Sequence, residues 1–307
     1  MRATVPAETG TRTLRIGTRG SALALAQARW VAGRLAILGL ATSIEVLRTD
    51  GDDRAPDTPW GEGAFVTRIQ RALAAAEVDI AVHSAKDVPT REDERLVIAA
   101  IPGREDPRDC LVVAGRSATL GTLPPGARIG TDSPRRVAFL RAVRPDLEFR
   151  PLHGNVDTRL AKLERGEADA LVLAVAGLRR LGYADRIDEV LPVDLVVPAP
   201  GQGALAVQVR AADAAAVEAV APLDDPATRA AVEAERAFLH ATGGGCRSAS
   251  GALATVDRVR LVLTAAVGGD GALRRATATG PLALPHEIGR DLALRLGFAP
   301  SSGAVVR

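Results

Sequence analysis

Lysine is almost missing from this chain: of 39 basic residues only Lys86 and Lys162 are lysine, and the rest are arginine. In so biased a chain, a lysine at a tight polar site is there for its compact, rotatable ammonium, because an arginine fork is not equivalent to it. Aromatic residues are nearly as scarce at 3%, which argues against a surface of stacking platforms for single-stranded nucleic acid. Net charge is only +2, so no nucleic-acid or other polyanion partner is expected, and any anion binding has to come from local arginine clusters. The two cysteines, Cys110 and Cys246, make neither a disulfide framework nor a metal-ligand spacing. Both are expected as reduced thiols, and no metal site is expected. No apolar run approaches the roughly 18 residues of a membrane helix. The stretch from Met1 to Thr13 holds Pro6, Glu8 and Gly10 and no apolar leader segment. A soluble, cytoplasmic protein with no membrane partner is the expectation.

What the chain has instead is alanine-rich apolar sequence, 47% apolar over 307 residues, more than one core accommodates. Strand-like and helix-like segments alternate from the start, which is the α/β pattern. A strand at 14–18 leads to a helix over 21–38, a strand at 44–47, a helix near 64–76, and strands at Ile80 and 96–101. A second set follows, with strands near 110–114, 128–130, 147–150 and 170–174 and helices from Pro134 and Val156. Pro102-Gly103-Arg104-Glu105-Asp106-Pro107 reads as one crossing between units, and Pro198-Ala199-Pro200-Gly201-Gln202-Gly203 as the return. Beyond helices at 214–220 and 228–240, a hairpin at 259–267 and 273–279 and a helix from Pro285 read as a small antiparallel α+β domain. The expected division is residues 1–102 with 198–213, then 103–197, then 214–307. Ile16-Gly17-Thr18 before Ser21 and Ile129-Gly130-Thr131 before Ser133 form a weak internal echo, a tripeptide match that chance alone can produce.

Residues 79–89 form the most informative stretch: a short apolar strand ends in His83-Ser84-Ala85-Lys86-Asp87 and is closed by Pro89. A carboxylate partly withdrawn from water costs several kcal/mol unless a cation or donors compensate it, so Asp87 calls for a partner or a cationic ligand. Arginines stand at three strand-to-helix junctions. Arg19 precedes the Ser21 cap, Arg135 and Arg136 follow Ser133-Pro134, and Arg159 lies in the first turns after Asn155. Cations in a first turn oppose the helix dipole, so such a pair either points to solvent or joins the free amides in holding an anion. Open α/β sheets bind ligands at those strand ends, which implies a ligand bearing several carboxylates or phosphates. Gly243-Gly244-Gly245 presents Cys246 on a pliable loop, as a nucleophile, a redox sensor or a covalent attachment point. Cys110 is most simply a core thiol.

Taken in order, LRIGTRGS (14–21), HSAKDVP (83–89), REDPRD (104–109), GTDSPRR (130–136), GNVDTR (154–159), LAVAGLRRLG (173–182), PAPGQGAL (198–205), AERAF (234–238) and GGC (244–246) resemble the porphobilinogen deaminase, or hydroxymethylbilane synthase, family. The resemblance implies two periplasmic-binding-protein-like (type II) α/β domains around a cleft, plus a small C-terminal α+β domain. It implies a dipyrromethane cofactor joined through Cys246 and, as small-molecule substrate, porphobilinogen, four units of which join head to tail with loss of ammonia. Asp87 then matches the catalytic carboxylate. Lys86, Ser84, Thr131, Ser133, Arg135 and Arg136 match positions that hold the cofactor, and Arg19, Ser21, Gln27, Arg159 and Arg180 positions that bind substrate. A monomer is expected. The chain departs from the family pattern in a shorter loop at 57–66 carrying Glu62, and in His153, where arginine usually precedes the Gly-Asn pair. A divergent paralogue acting on another pyrrole or polycarboxylate, or a non-catalytic anion-binding module, are the alternatives.

Overall fold

The computed structural model describes residues 12–47, 66–91, 93–115, 118–245, 248–269 and 272–299. The loop with Glu62, and Cys246 with Arg247, lie outside the described residues. The chain runs through β1 (Leu14–Thr18), α1 (Ala22–Ile37), β2 (Thr42–Val46), α2 (Thr67–Ala74), β3 (Ile80–Ser84) and β4 (Leu96–Ala100). It crosses to β5 (Asp109–Val113), β6 (Arg128–Gly130), α3 (Pro134–Val143), β7 (Glu148–Arg150), α4 (Val156–Glu164), β8 (Ala170–Ala174), α5 (Val175–Arg180) and β9 (Glu189–Val190). It returns at β10 (Leu205–Arg210), and then forms α6 (Ala214–Val220), α7 (Pro226–Ala241), β11 (Ser250–Asp257), β12 (Arg260–Gly269), β13 (Ala272–Pro281) and α8 (Pro285–Arg295).

Three sheets result, with strand orders β2-β1-β3-β10-β4, β7-β6-β8-β5-β9 and β11-β12-β13. In the first, β1 pairs parallel with β2 and β3, and β10 runs antiparallel between β3 and β4. In the second, β6 pairs parallel with β7 and β8, and β5 runs antiparallel against β8. The two sheets therefore share one plan, each closed by a strand from the far side of a crossing. The echo Ile-Gly-Thr falls on β1 and β6, which hold equivalent places, so the sequence match is structural. It extends further. Arg15 Nε and backbone N–H both donate to Asp79 Oδ2, each at 3.0 Å, while Arg128 Nε (3.1 Å) and N–H (2.7 Å) donate to Asp169 Oδ2.

Each sheet of the two lobes is covered on both faces. Ile16, Val82 and Val207 pack under α1 and α6, and Val78, Ala81 and Leu96 pack under α2 with Ile69 and Leu73. Ile129, Phe139 and Val172 fill one face of the second lobe, and Leu160, Leu171 and Leu178 the other. Each fully buried Ile, Leu or Val contributes about 1.5–3 kcal/mol relative to exposure. The third sheet packs against α7 and α8 through Phe238, Leu263 and Leu292.

The sequence reading leaves out β9, β10 and β11 and runs 228–240 short of α7 at both ends. It expects Asn155 to cap α4; Asn155 stands at that position, but its side chain makes no capping bond. Ser21 and Ser133 do cap α1 and α3, accepting from Ala24 N–H at 3.3 Å and Arg136 N–H at 3.4 Å. The crossings meet closely: Gly203, at φ +86°, would place a Cβ 2.4 Å from the Glu105 carbonyl oxygen, so only glycine fits that approach. Glu235 of α7, fully buried, clamps them to the third unit. It accepts two bonds from Arg104 (2.6 and 2.9 Å), one from Gly201 N–H (2.6 Å) and one from Ala254 N–H (2.8 Å).

Candidate active site

β3 ends in a single 3-10 turn, Ala85–Asp87, that points its polar side chains into the space between the lobes. That space is two adjoining cavities, partly open to solvent. Arg19, Ser21, Gln27, Ser84 and Arg180 line the first, Ser133 and Arg135 the second, and Lys86, Asp87, Arg136, Arg159 and Gln202 face both. Thr131 lines neither; it is buried, and its hydroxyl accepts from Ser133 N–H at 3.3 Å, which shapes the turn before α3. Gly245 and Ser248, on either side of the undescribed Cys246 and Arg247, line the second cavity together with Asp87.

Asp87 is half-buried and makes no hydrogen bond or ion pair to a described residue, so its oxygens are available to a ligand. Ser84 is tied to α1, accepting from Gln27 Nε2 at 2.9 Å. Lys86 Nζ donates to Gln202 Oε1 at 3.2 Å. Burial pushes the Lys86 ammonium down to about 8; Asp87 and Asp109 pull it up while Arg136 and Arg135 push it down.

Arg135 and Arg136 do not point to solvent. Both are buried, at 3% and 6% exposure, and both are engaged by a fully buried carboxylate that the sequence reading passed over, Asp109 of β5. Arg135 Nη1 donates to Asp109 Oδ2 and to the Val197 carbonyl, each at 2.7 Å. Arg136 donates to Asp109 Oδ1 through Nε at 3.0 Å and Nη2 at 2.7 Å, and to the Val172 carbonyl at 2.7 Å. Burial alone would raise the Asp109 carboxyl, but the two guanidiniums outweigh it and hold it below the ordinary carboxylate range. Two cations around one anion leave a net positive charge facing the cavities. Breaking such a buried cluster at one member costs about 3–5 kcal/mol.

Arg159 donates to the Gly154 carbonyl at 2.8 Å and to Asp132 Oδ2 at 3.2 Å, and burial lowers its pKa. Arg180 donates to the Gly203 carbonyl at 2.8 Å. His153 lines neither cavity. Its Nδ1 lies 3.0 Å from Asp132 Oδ2 without hydrogen-bond alignment, and Asp132 itself faces the second cavity. Cys110 is inside the second lobe, 3.5 Å from the Leu173 carbonyl, and burial pushes its thiol up to about 12, so it is an inert core thiol. Among the described residues there is no cluster of His, Cys, Asp or Glu that could hold a metal, and no helix is long and apolar enough to cross a membrane.

With this geometry in view, the likeness to known proteins is decisive. Residues 14–218 match the family described as porphobilinogen deaminase, dipyromethane cofactor binding domain, and residues 229–297 match the porphobilinogen deaminase C-terminal domain. The chain belongs to the porphobilinogen deaminase family. It is 47% identical to the porphobilinogen deaminase of Roseiflexus castenholzii over 92% of this chain and 95% of that one. It is 49% identical to that of Nocardia farcinica over 94% and 87%, and 51% identical to that of Mycobacterium tuberculosis over 79% of each. Solved periplasmic binding proteins match loosely. The arginine-specific one of Salmonella typhimurium is 14% identical, covering 71% of this chain and 94% of that one with a TM-score of 0.40, a likeness that carries no argument. The residues that sequence reasoning missed, Asp109, Gln202 and Glu235, all lie inside quoted motifs; for Gln202 the available signal was an amide between two glycines at a crossing, and Asp109 and Glu235 carry no local signal of their own.

Proposed function

We propose that this chain is a hydroxymethylbilane synthase. It joins four porphobilinogen molecules head to tail with release of ammonia, on a dipyrromethane held by a thioether at Cys246. The observation that carries this reading is that Asp87, Lys86, Arg136 and the flanks of the Cys246 loop, Gly245 and Ser248, line one cavity. The donor set fits the group: each pyrrole of such a ligand carries carboxylates, and the cavity offers an ammonium, guanidiniums and the Ser133 hydroxyl at a helix start. Bound there, the dipyrromethane supplies the pyrrole carbon at which chain growth begins.

The protein's own part is electrostatic. Loss of ammonia from the aminomethyl carbon of porphobilinogen leaves a cationic, conjugated electrophile. Asp87, with no described partner of its own, accepts pyrrole N–H groups, stabilises that charge, and can take the ring proton that each condensation displaces. Ser84, Lys86, Ser133, Arg135 and Arg136 hold the dipyrromethane, Thr131 acts through the Ser133 backbone, and Arg19, Ser21, Gln27, Arg159 and Arg180 hold the incoming substrate. Residues 1–102 with 198–213 supply the catalytic carboxylate, 103–197 the guanidinium wall, and 214–307 the attachment loop. We place the enzyme in the cytoplasm as a monomer that binds no nucleic acid. Incubation with porphobilinogen should consume four molecules and release four of ammonia per linear tetrapyrrole. Binding without consumption would instead favour an anion-binding module of the same fold.

A further inference from the structure

Gln202 lies at the centre of the cleft and has no part in the reading above. It sits on the return crossing, is fully buried, and faces both cavities. Its amide orientation is dictated by its neighbours. Nε2 donates to the Pro107 carbonyl at 2.7 Å and to Asp109 Oδ1 at 3.0 Å, two groups that only accept, so the amide oxygen is the atom 3.2 Å from Lys86 Nζ. We propose that Gln202 is a positioning residue for Lys86: its carbonyl oxygen, aimed by Asp109 and Pro107, holds the ammonium charged and turned into the cleft, where it takes a carboxylate of the pyrrole ligand.

The ligand's identity rests on the function proposed above; the effect on Lys86 does not. The charges around Lys86 nearly offset one another. Asp87 on its own turn and Asp109 from β5 favour the charged form, and Arg136 and Arg135 from α3 oppose it. Arg159 from α4 and Asp132 before α3 also line the second cavity, again with opposite signs. Burial then dominates and brings Lys86 to about 8, close enough to neutrality that an oriented dipole 3.2 Å away shifts how much ammonium is present. A neutral amide is suited to the task. A carboxylate in its place would hold Lys86 more firmly but would cancel the charge that the ligand's carboxylate needs.

The shortage of lysine makes the test direct. Full-length protein labelled with 13C at lysine Cε gives two lysine signals, from Lys86 and Lys162, assigned with Lys162→Arg. Gln202→Leu should lower the Lys86 midpoint by about one pH unit, the worth of a hydrogen bond to a charged group. In turnover, Gln202→Leu should raise KM for porphobilinogen about fivefold at pH 8, less at pH 6.5, with kcat less affected. A merely structural role would lower thermal stability and leave the Lys86 titration where it is, which overturns the proposal. If Gln202→Leu fails to fold, the similarly shaped Gln202→Met carries the test, and an unchanged Lys86 midpoint there overturns it equally. If wild-type protein neither consumes porphobilinogen nor changes its Lys86 titration on adding it, the functional reading fails while the Gln202 effect on the lysine still stands or falls by the variants.

Discussion

In the first lobe Arg15-Ile16-Gly17-Thr18 runs up to the Ser21 cap and is braced by Asp79; in the second, Arg128-Ile129-Gly130-Thr131 runs up to the Ser133 cap and is braced by Asp169. From this common frame the lobes part at two places. β3 is followed by Ala85-Lys86-Asp87, whereas β8 is followed by the apolar start of α5, Val175-Ala176-Gly177-Leu178, all buried. Conversely α1 begins with Ala22-Leu23, whereas α3 begins with Pro134-Arg135-Arg136. Scaffold is duplicated and chemistry is unevenly divided: one wall brings Asp87 and the ammonium with Arg19, the other brings most of the guanidiniums with Asp132. A polycarboxylate ligand has to span both walls to satisfy them. The braces differ as well. Asp79 is 1% exposed and pairs with Arg12, Arg15 and Arg210, while Asp169 is 44% exposed and pairs with Arg128.

The largest effect should come from the carboxylate wall. Asp87→Asn should reduce porphobilinogen turnover by about 10³-fold or more, with thermal stability nearly unchanged, because the group holds up no part of the fold. Turnover within tenfold of wild type would remove the functional distinction between the lobes. Next comes the unequal brace. Asp79→Asn should cost about 2 kcal/mol in denaturant unfolding, since it removes the buried charged acceptor shared by the Arg15 N–H and the largely buried Arg210, and Asp169→Asn less than about 1. Equal losses would mean the braces are equivalent after all.

His83 sharpens the comparison through pH. Its counterpart on β8 is Leu173. Burial pushes His83 down to about 4, against a bond to Gln208 that raises it, so the folded state holds it neutral. Between about pH 4 and 6.5 the unfolded chain binds the extra proton, so stability rises with pH across that window and is lost on acidification. The difference amounts to about 3 kcal/mol. His83→Gln should flatten that window in chemical denaturation measured from pH 4 to 7; an unchanged slope would place the acid sensitivity elsewhere. The smallest effect is expected at His153→Arg, within about threefold in KM, because that side chain meets Asp132 and not the cavities. A tenfold fall in KM would show that the guanidinium wall extends to it.

Much of this division is legible in the sequence. The β3 end reads as a site because a lysine in an arginine-rich chain stands beside an aspartate and a proline, all local features. Elements with helical or alternating apolar patterns, from β1 to β8 and α8, also follow from local sequence. β11 does not. Its Ser250-Gly251-Ala252 start carries no strand signal, yet Gly251 is inside the strand, and glycine is required there because a Cβ would meet the Val197 carbonyl oxygen at 2.4 Å. β10 is hidden behind a proline- and glycine-rich crossing, and its place between β3 and β4 depends on strands far away in sequence. The same holds for the arginines of α3. Their helix position predicts solvent or anion, and only the fold brings Asp109 beneath them. Buried charge clusters are set by partners that sequence spacing does not announce.

The central claim is that Asp87 faces a primer tethered at Cys246, and intact mass of the purified protein tests it most directly. The wild-type chain and Asp87→Asn should both be heavier than their sequences by one dipyrromethane, Cys246→Ser should not, and porphobilinogen should add further units to wild type alone. A wild-type mass equal to that of the bare chain, with no adducts after substrate, would contradict the account.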